Sequence, residues 1–124
     1  MSDKIKIMVV DDSNMIIKMI QGFLQSYQIE IVGVANDGQT AVELFKKTDP
    51  DIVTLDITMP KMDGLTVLQE MLKIKDTTKV IIISALTDNA TALKALQIGA
   101  KDFIPKPFKE DSFKEVLNRI LSEN

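Results

Sequence analysis

The chain of 124 residues contains no cysteine and no histidine. Lack of cysteine excludes disulfides and thiolate chemistry, and is compatible with a cytosolic protein. Lack of histidine excludes an imidazole general base, His-ligated zinc and a phosphohistidine on this chain, so any chemistry falls to carboxylates, lysines and hydroxyls. There is no basic excess either. The 15 Lys and Arg residues against 18 Asp and Glu give a net charge of -3, which leaves no positive footprint for a phosphate backbone and disfavours binding to DNA or RNA. The first apolar run, "IKIMVV", is far too short for a signal peptide or a membrane span. A cytoplasmic protein with no membrane partner is the expectation. What is present is a globular composition, 45% hydrophobic, in a length that forms one core and one domain over residues 1–124.

The apolar pattern alternates between two periods. Nearly continuous β-branched runs at Ile5 to Val10, Ile29 to Ala35, Asp51 to Leu55 and Val80 to Ile83, with a weaker one at Asp102 to Ile104, predict strands buried on both faces. Between them, Ile16, Met19, Ile20, Phe23, Leu24 and Tyr27 recur at helical spacing. So do Ala41, Leu44 and Phe45, then Leu65, Leu68 and Leu72, and finally Phe113, Val116, Leu117, Ile120 and Leu121. A fourth helix over Asp88 to Ile98 is apolar on nearly every side, which predicts either deep burial or a second face for a partner. Five strands alternating with five helices give an α/β fold, a doubly wound parallel sheet covered on both faces.

In such a sheet, ligands bind outside the carboxyl ends of the strands. The first strand ends at Asp11 and Asp12, the third at Asp56 and the fourth at Ser84, while Lys106 follows the fifth. If the first and third strands are neighbours, three carboxylates converge, and their repulsion calls for a cation. An all-oxygen set with open coordination positions suits Mg²⁺. Lys106 and Ser84 are the right kinds of group to meet the oxygens of a transferring phosphoryl, and Asp56, standing alone, is the better nucleophile. Each of these residues has a plain alternative. Asp12 or Ser13 can serve as a helix cap, Lys106 as a solvated surface lysine, Ser84 as a donor to a backbone carbonyl and Phe103 as core; the constellation favours the site.

The motifs "VVDDS", "LDITMPKMDG", "IIISA" and "GAKDFIPKPF" occur in this order along essentially the whole chain. Together they resemble the receiver domain of two-component response regulators, and in detail its stand-alone chemotaxis members. The resemblance implies a flavodoxin-like sheet of order 2-1-3-4-5 and phosphorylation of Asp56 by a histidine kinase. It further implies Mg²⁺ held by Asp11, Asp12, Asp56 and the backbone carbonyl of Thr58, a cis Lys106–Pro107 bond, and a switch through Ser84 and Phe103. Thr58 and Leu86 stand where the hydrolytic water approaches and would tune the lifetime of the phosphate. Phe103 replaces the tyrosine of many chemotaxis regulators, keeping the ring without its hydroxyl. The implied protein is a monomeric signalling switch and not an enzyme. It carries no effector domain after the fifth helix, and its output surface of fourth helix, fifth strand and fifth helix meets a partner such as a flagellar motor switch protein. A phosphorelay intermediate would use the same site. An aspartate-nucleophile phosphatase of the haloacid dehalogenase type would need a second aspartate where this chain has Thr58, and usually a cap domain. A flavodoxin-like electron carrier would need a Ser/Thr-rich phosphate loop after the first strand.

Overall fold

The computed structural model describes residues 4–58, 63–85 and 89–123. Its elements alternate as β1 (Ile5–Val10), α1 (Asn14–Phe23), β2 (Ile29–Ala35), α2 (Gly38–Thr48), β3 (Ile52–Asp56), α3 (Gly64–Ile74), β4 (Lys79–Ser84), α4 (Asn89–Ile98), β5 (Asp102–Pro105) and α5 (Glu110–Ser122). The five strands are parallel, in the order β2-β1-β3-β4-β5. This is the doubly wound arrangement expected from the apolar pattern. Alternate residues feed two half-cores. Met8, Val10, Val53, Leu55, Val80 and Ile82 point toward α2, α3 and α4, whereas Ile7, Val9, Ile52, Ile81, Ile83 and Ile104 point toward α1 and α5. Both faces of the central strands are therefore apolar, and their runs read as continuous.

Local chemistry sets most helix starts. The Ser13 hydroxyl accepts the Ile16 N–H at 3.3 Å, and the Asp37 carboxylate accepts the Thr40 N–H at 2.8 Å, each satisfying one orphan donor of a first turn. Asp63 likewise accepts the Leu65 N–H at 3.2 Å. One expectation needs correction. The helical stripe from Ile16 to Tyr27 does not form one helix: α1 stops at Phe23, a short three-ten turn covers Leu24–Ser26, and Tyr27 is extended. The tighter turn still buries Leu24, while the Tyr27 hydroxyl donates to Asn118 of α5 at 2.8 Å. The stripe was a record of burial, which the turn preserves without helical geometry. The Lys106–Pro107 bond is cis.

At the N-terminal edge of the sheet, lysines serve as braces. Lys75 donates to the Pro50 carbonyl at 3.0 Å, and Lys79 to those of Ile120 and Glu123 at 3.2 and 3.1 Å. Higher in the sheet, Thr54 is buried between its register partners Val9 and Ile81, and its hydroxyl finds no partner among the described residues. A buried hydroxyl without a hydrogen bond is destabilising, so the near-isosteric Thr54→Val is expected to stabilise the fold by about 1 kcal/mol. Urea unfolding measures this, and a loss of stability would show that the hydroxyl is satisfied.

Candidate functional site

Because β1 and β3 are neighbours and pair as Val10 with Leu55, the residues that follow this pair, Asp11 and Asp56, lie side by side at the C-terminal edge. Both are only 1% exposed. Asp12, the next residue, is exposed, and one carboxylate oxygen from each of Asp11, Asp12 and Asp56 lies within 4.8 Å of the others. The capping alternative is settled by the same loop. Ser13 caps α1, while Asp11 turns its Oδ1 to the Ser13 N–H at 2.9 Å, leaving Asp12 outside the cap.

Lys106 reaches this cluster from the end of β5. Its Nζ lies 3.1 Å from Asp11 Oδ2 and 3.2 Å from Asp56 Oδ2, with the side chain 17% exposed. It is therefore not a solvated surface lysine. Its backbone N–H donates to the Ser84 carbonyl at 2.8 Å, which ties the ends of β4 and β5 together beside the site. Ser84 is fully buried. Thr58 contributes something the sequence did not disclose: both its N–H, at 2.9 Å, and its hydroxyl, at 2.7 Å, donate to Asp56 Oδ1. The side chain at this position thus clasps the carboxylate and offers no second acid, unlike the haloacid dehalogenase arrangement. Phe103 is half-buried against the α2–α4 half-core. Leu86 lies outside the described residues, as does Asp88 at the expected start of α4.

Burial pushes the Asp11 carboxyl above its ordinary value, although the Ser13 N–H and the Lys106 ammonium favour its charged form; the nearby Asp56 charge adds to the rise. Burial alone would lower the Lys106 ammonium. The hydrogen bond to Asp11 and the negative charges of Asp56 and Asp11 outweigh burial and raise it. Lys106 thus rises because two buried carboxylates share its ammonium, whereas Asp11 rises because it is buried beside Asp56. That pair plus Asp12 leaves a negative surplus in a set made wholly of oxygens, which is what a hard divalent cation would neutralise. The residues fit Mg²⁺.

A 2-1-3-4-5 sheet with an aspartate cluster and a lysine at its carboxyl edge defines a class, and the comparison with known families agrees. Residues 7–118 match the family model of the response regulator receiver domain, and the chain belongs to that family. Its relatives include the chemotaxis protein CheY of Bacillus subtilis (strain 168), 42% identical over 94% of this chain and 98% of that protein. CheY of Thermotoga maritima is 39% identical, over 93% and 96%. Among solved structures, the CheX–CheY–BeF3–Mg²⁺ complex from Borrelia burgdorferi contains a chain that superposes with a TM-score of 0.91 at 36% identity, covering 96% of this chain and 90% of that one. Among the described residues, no helix is long and apolar enough to cross a membrane.

Proposed function

We propose that the chain is a cytoplasmic, monomeric phosphorylation switch in which Asp56 receives a phosphoryl group from a partner histidine kinase. Mg²⁺ would be held by Asp11, Asp12, Asp56 and the Thr58 backbone carbonyl. The observation that carries this reading is the buried Asp11–Lys106–Asp56 bridge at the carboxyl edge of the sheet. An Asp56 oxygen attacks phosphorus while the P–N bond to the donor imidazole breaks, the ring nitrogen keeping the electron pair. When bound, Mg²⁺ supplies positive charge to the oxygens of the transferring group. Lys106 is already in hydrogen-bond reach of Asp56 Oδ2 and can follow the charge onto a phosphoryl oxygen. Ser84, at the adjacent strand end, would donate its hydroxyl to another. Thr58, which clasps Asp56, and Leu86, at the position that the family resemblance marks, would tune how long the acyl phosphate survives water.

The output follows from the same strand ends. Drawing Ser84 toward the phosphoryl group vacates space into which Phe103 packs, remodelling the surface of α4, β5 and α5. Leu93 and Leu96 of α4 are 56% and 43% exposed, while Ala95 is buried and Ile98 packs against the core. The helix therefore has a second apolar face that favours a partner, such as a flagellar motor switch protein. Moving such a switch from 1:99 to 99:1 requires about 5.5 kcal/mol of differential stabilisation by the phosphoryl contacts.

Intact mass after incubation with Mg²⁺ and acetyl phosphate tests the central claim. One phosphoryl group should be gained, and none with the metal chelated; labelling indifferent to chelation would overturn the metal assignment. Lys106 provides a second measurement. Lys106→Met leaves two buried carboxylates without their counter-charge, so in chelator it should lose about 3 kcal/mol of stability. Mg²⁺ should restore part of that loss and raise the variant's melting temperature more than the parent's, because no ammonium competes for Asp11 and Asp56. Equal Mg²⁺ responses in the two proteins would contradict a shared site.

A further inference from the structure

The backbone N–H of Phe103, in the edge strand β5, donates to Asp102 Oδ1 at 2.8 Å. The other oxygen of the same carboxylate, Oδ2, accepts Nη1 of Arg119 at 2.5 Å, across from α5. One carboxylate thus links the backbone of the half-buried Phe103 to the last turn of α5.

We propose that Arg119 is a positioning residue for Phe103, acting through Asp102 to favour the ring placement of the phosphoryl-free chain. This rests on the switch reading of Ser84 and Phe103 and adds the element that sets its resting balance. The rotamers open to a side chain depend on the backbone torsions of its own residue, so a clamp on the Phe103 amide biases the ring. The clamp is made with Lys106 still spanning Asp11 and Asp56, and so it belongs to the arrangement before phosphoryl transfer. Arg119 is 54% exposed at its side chain. An ion pair this accessible is weak, which suits a bias that the phosphoryl contacts override. Its loss should enlarge the minor population, and by linkage that population binds a phosphoryl mimic more tightly.

The test uses beryllofluoride with Mg²⁺ on the whole chain, reading the Phe103 ring and amide resonances and the half-saturating mimic concentration. Arg119→Gln is expected to shift the mimic-free Phe103 signals part of the way along the line from free to bound parent, and to lower the half-saturating concentration about threefold. Asp102→Asn keeps an acceptor for the amide but loses the charge, and should act in the same direction. Arg119→Lys should fall between Arg119→Gln and the parent. If the parent's Phe103 signals respond to the mimic while Arg119→Gln matches the parent in signals and half-saturation, Arg119 is only a surface ion pair and the inference fails. If the parent's Phe103 does not respond at all, the switch reading itself fails and this inference falls with it.

Discussion

Asp56→Asn, given acetyl phosphate and Mg²⁺, is expected to gain no phosphoryl group under conditions that label the parent once. The amide nitrogen's lone pair is delocalised and its oxygen carries no full charge, so the substitution removes the nucleophile at nearly constant volume. The fold should survive, because the amide oxygen still accepts from Thr58 and the Lys106 ammonium keeps Asp11 as a partner. Removing one of two carboxylates that crowd a single ammonium also relieves repulsion at the strand ends. Intact mass followed by peptide mapping is the check. A label of parental yield that persists in the variant on another residue, Asp11 being the nearest buried carboxylate, would transfer the acceptor role there.

Gly64→Ala is expected to be the most destabilising single-methyl change in the loop region next to the site. A Cβ on Gly64 would lie 2.2 Å from the Cα of Ile57 and 2.5 Å from its Cβ. Backbone lies in the way, not the end of a flexible side chain, so the start of α3 must move off the residue that follows Asp56. An overpacked buried position of this kind costs about 2 to 4 kcal/mol. Because Ile57 sits between Asp56 and Thr58, the displacement should also loosen the Thr58 clasp on the carboxylate. Labelling with acetyl phosphate should slow as well as the melting temperature fall. A variant as stable as the parent would mean that the first turn of α3 has more freedom than this contact allows.

Much of this architecture is legible in the amino-acid sequence. Uninterrupted runs such as "KVIII" report burial on both faces, and they end at polar residues that a parallel sheet brings to one edge. Those are local signals with a fixed period, so Asp11, Asp56 and Ser84 could be placed at strand ends, and Lys106 just beyond the last strand, from the pattern alone. Tyr27 misled because helical spacing and a three-ten turn bury the same side of the chain. Thr58 was found by its position, yet its clasp on Asp56 depends on a loop conformation that no periodicity encodes.

The sequence by itself determined the order of the elements, the two-sided core and the set of oxygen and ammonium groups available for chemistry, because residue type and spacing decide these within a few neighbours. Only the tertiary structure decided that Lys106 is shared between carboxylates 95 and 50 residues away along the chain, that Asp12 stays exposed beside them, and that Asp102 is bound by Arg119 from another layer. Electrostatic pairing falls with distance through space and is indifferent to separation along the chain. The burial that raises Asp11 and the carboxylate partners that raise Lys106 therefore came into existence only when β1, β3 and β5 were brought to a common edge.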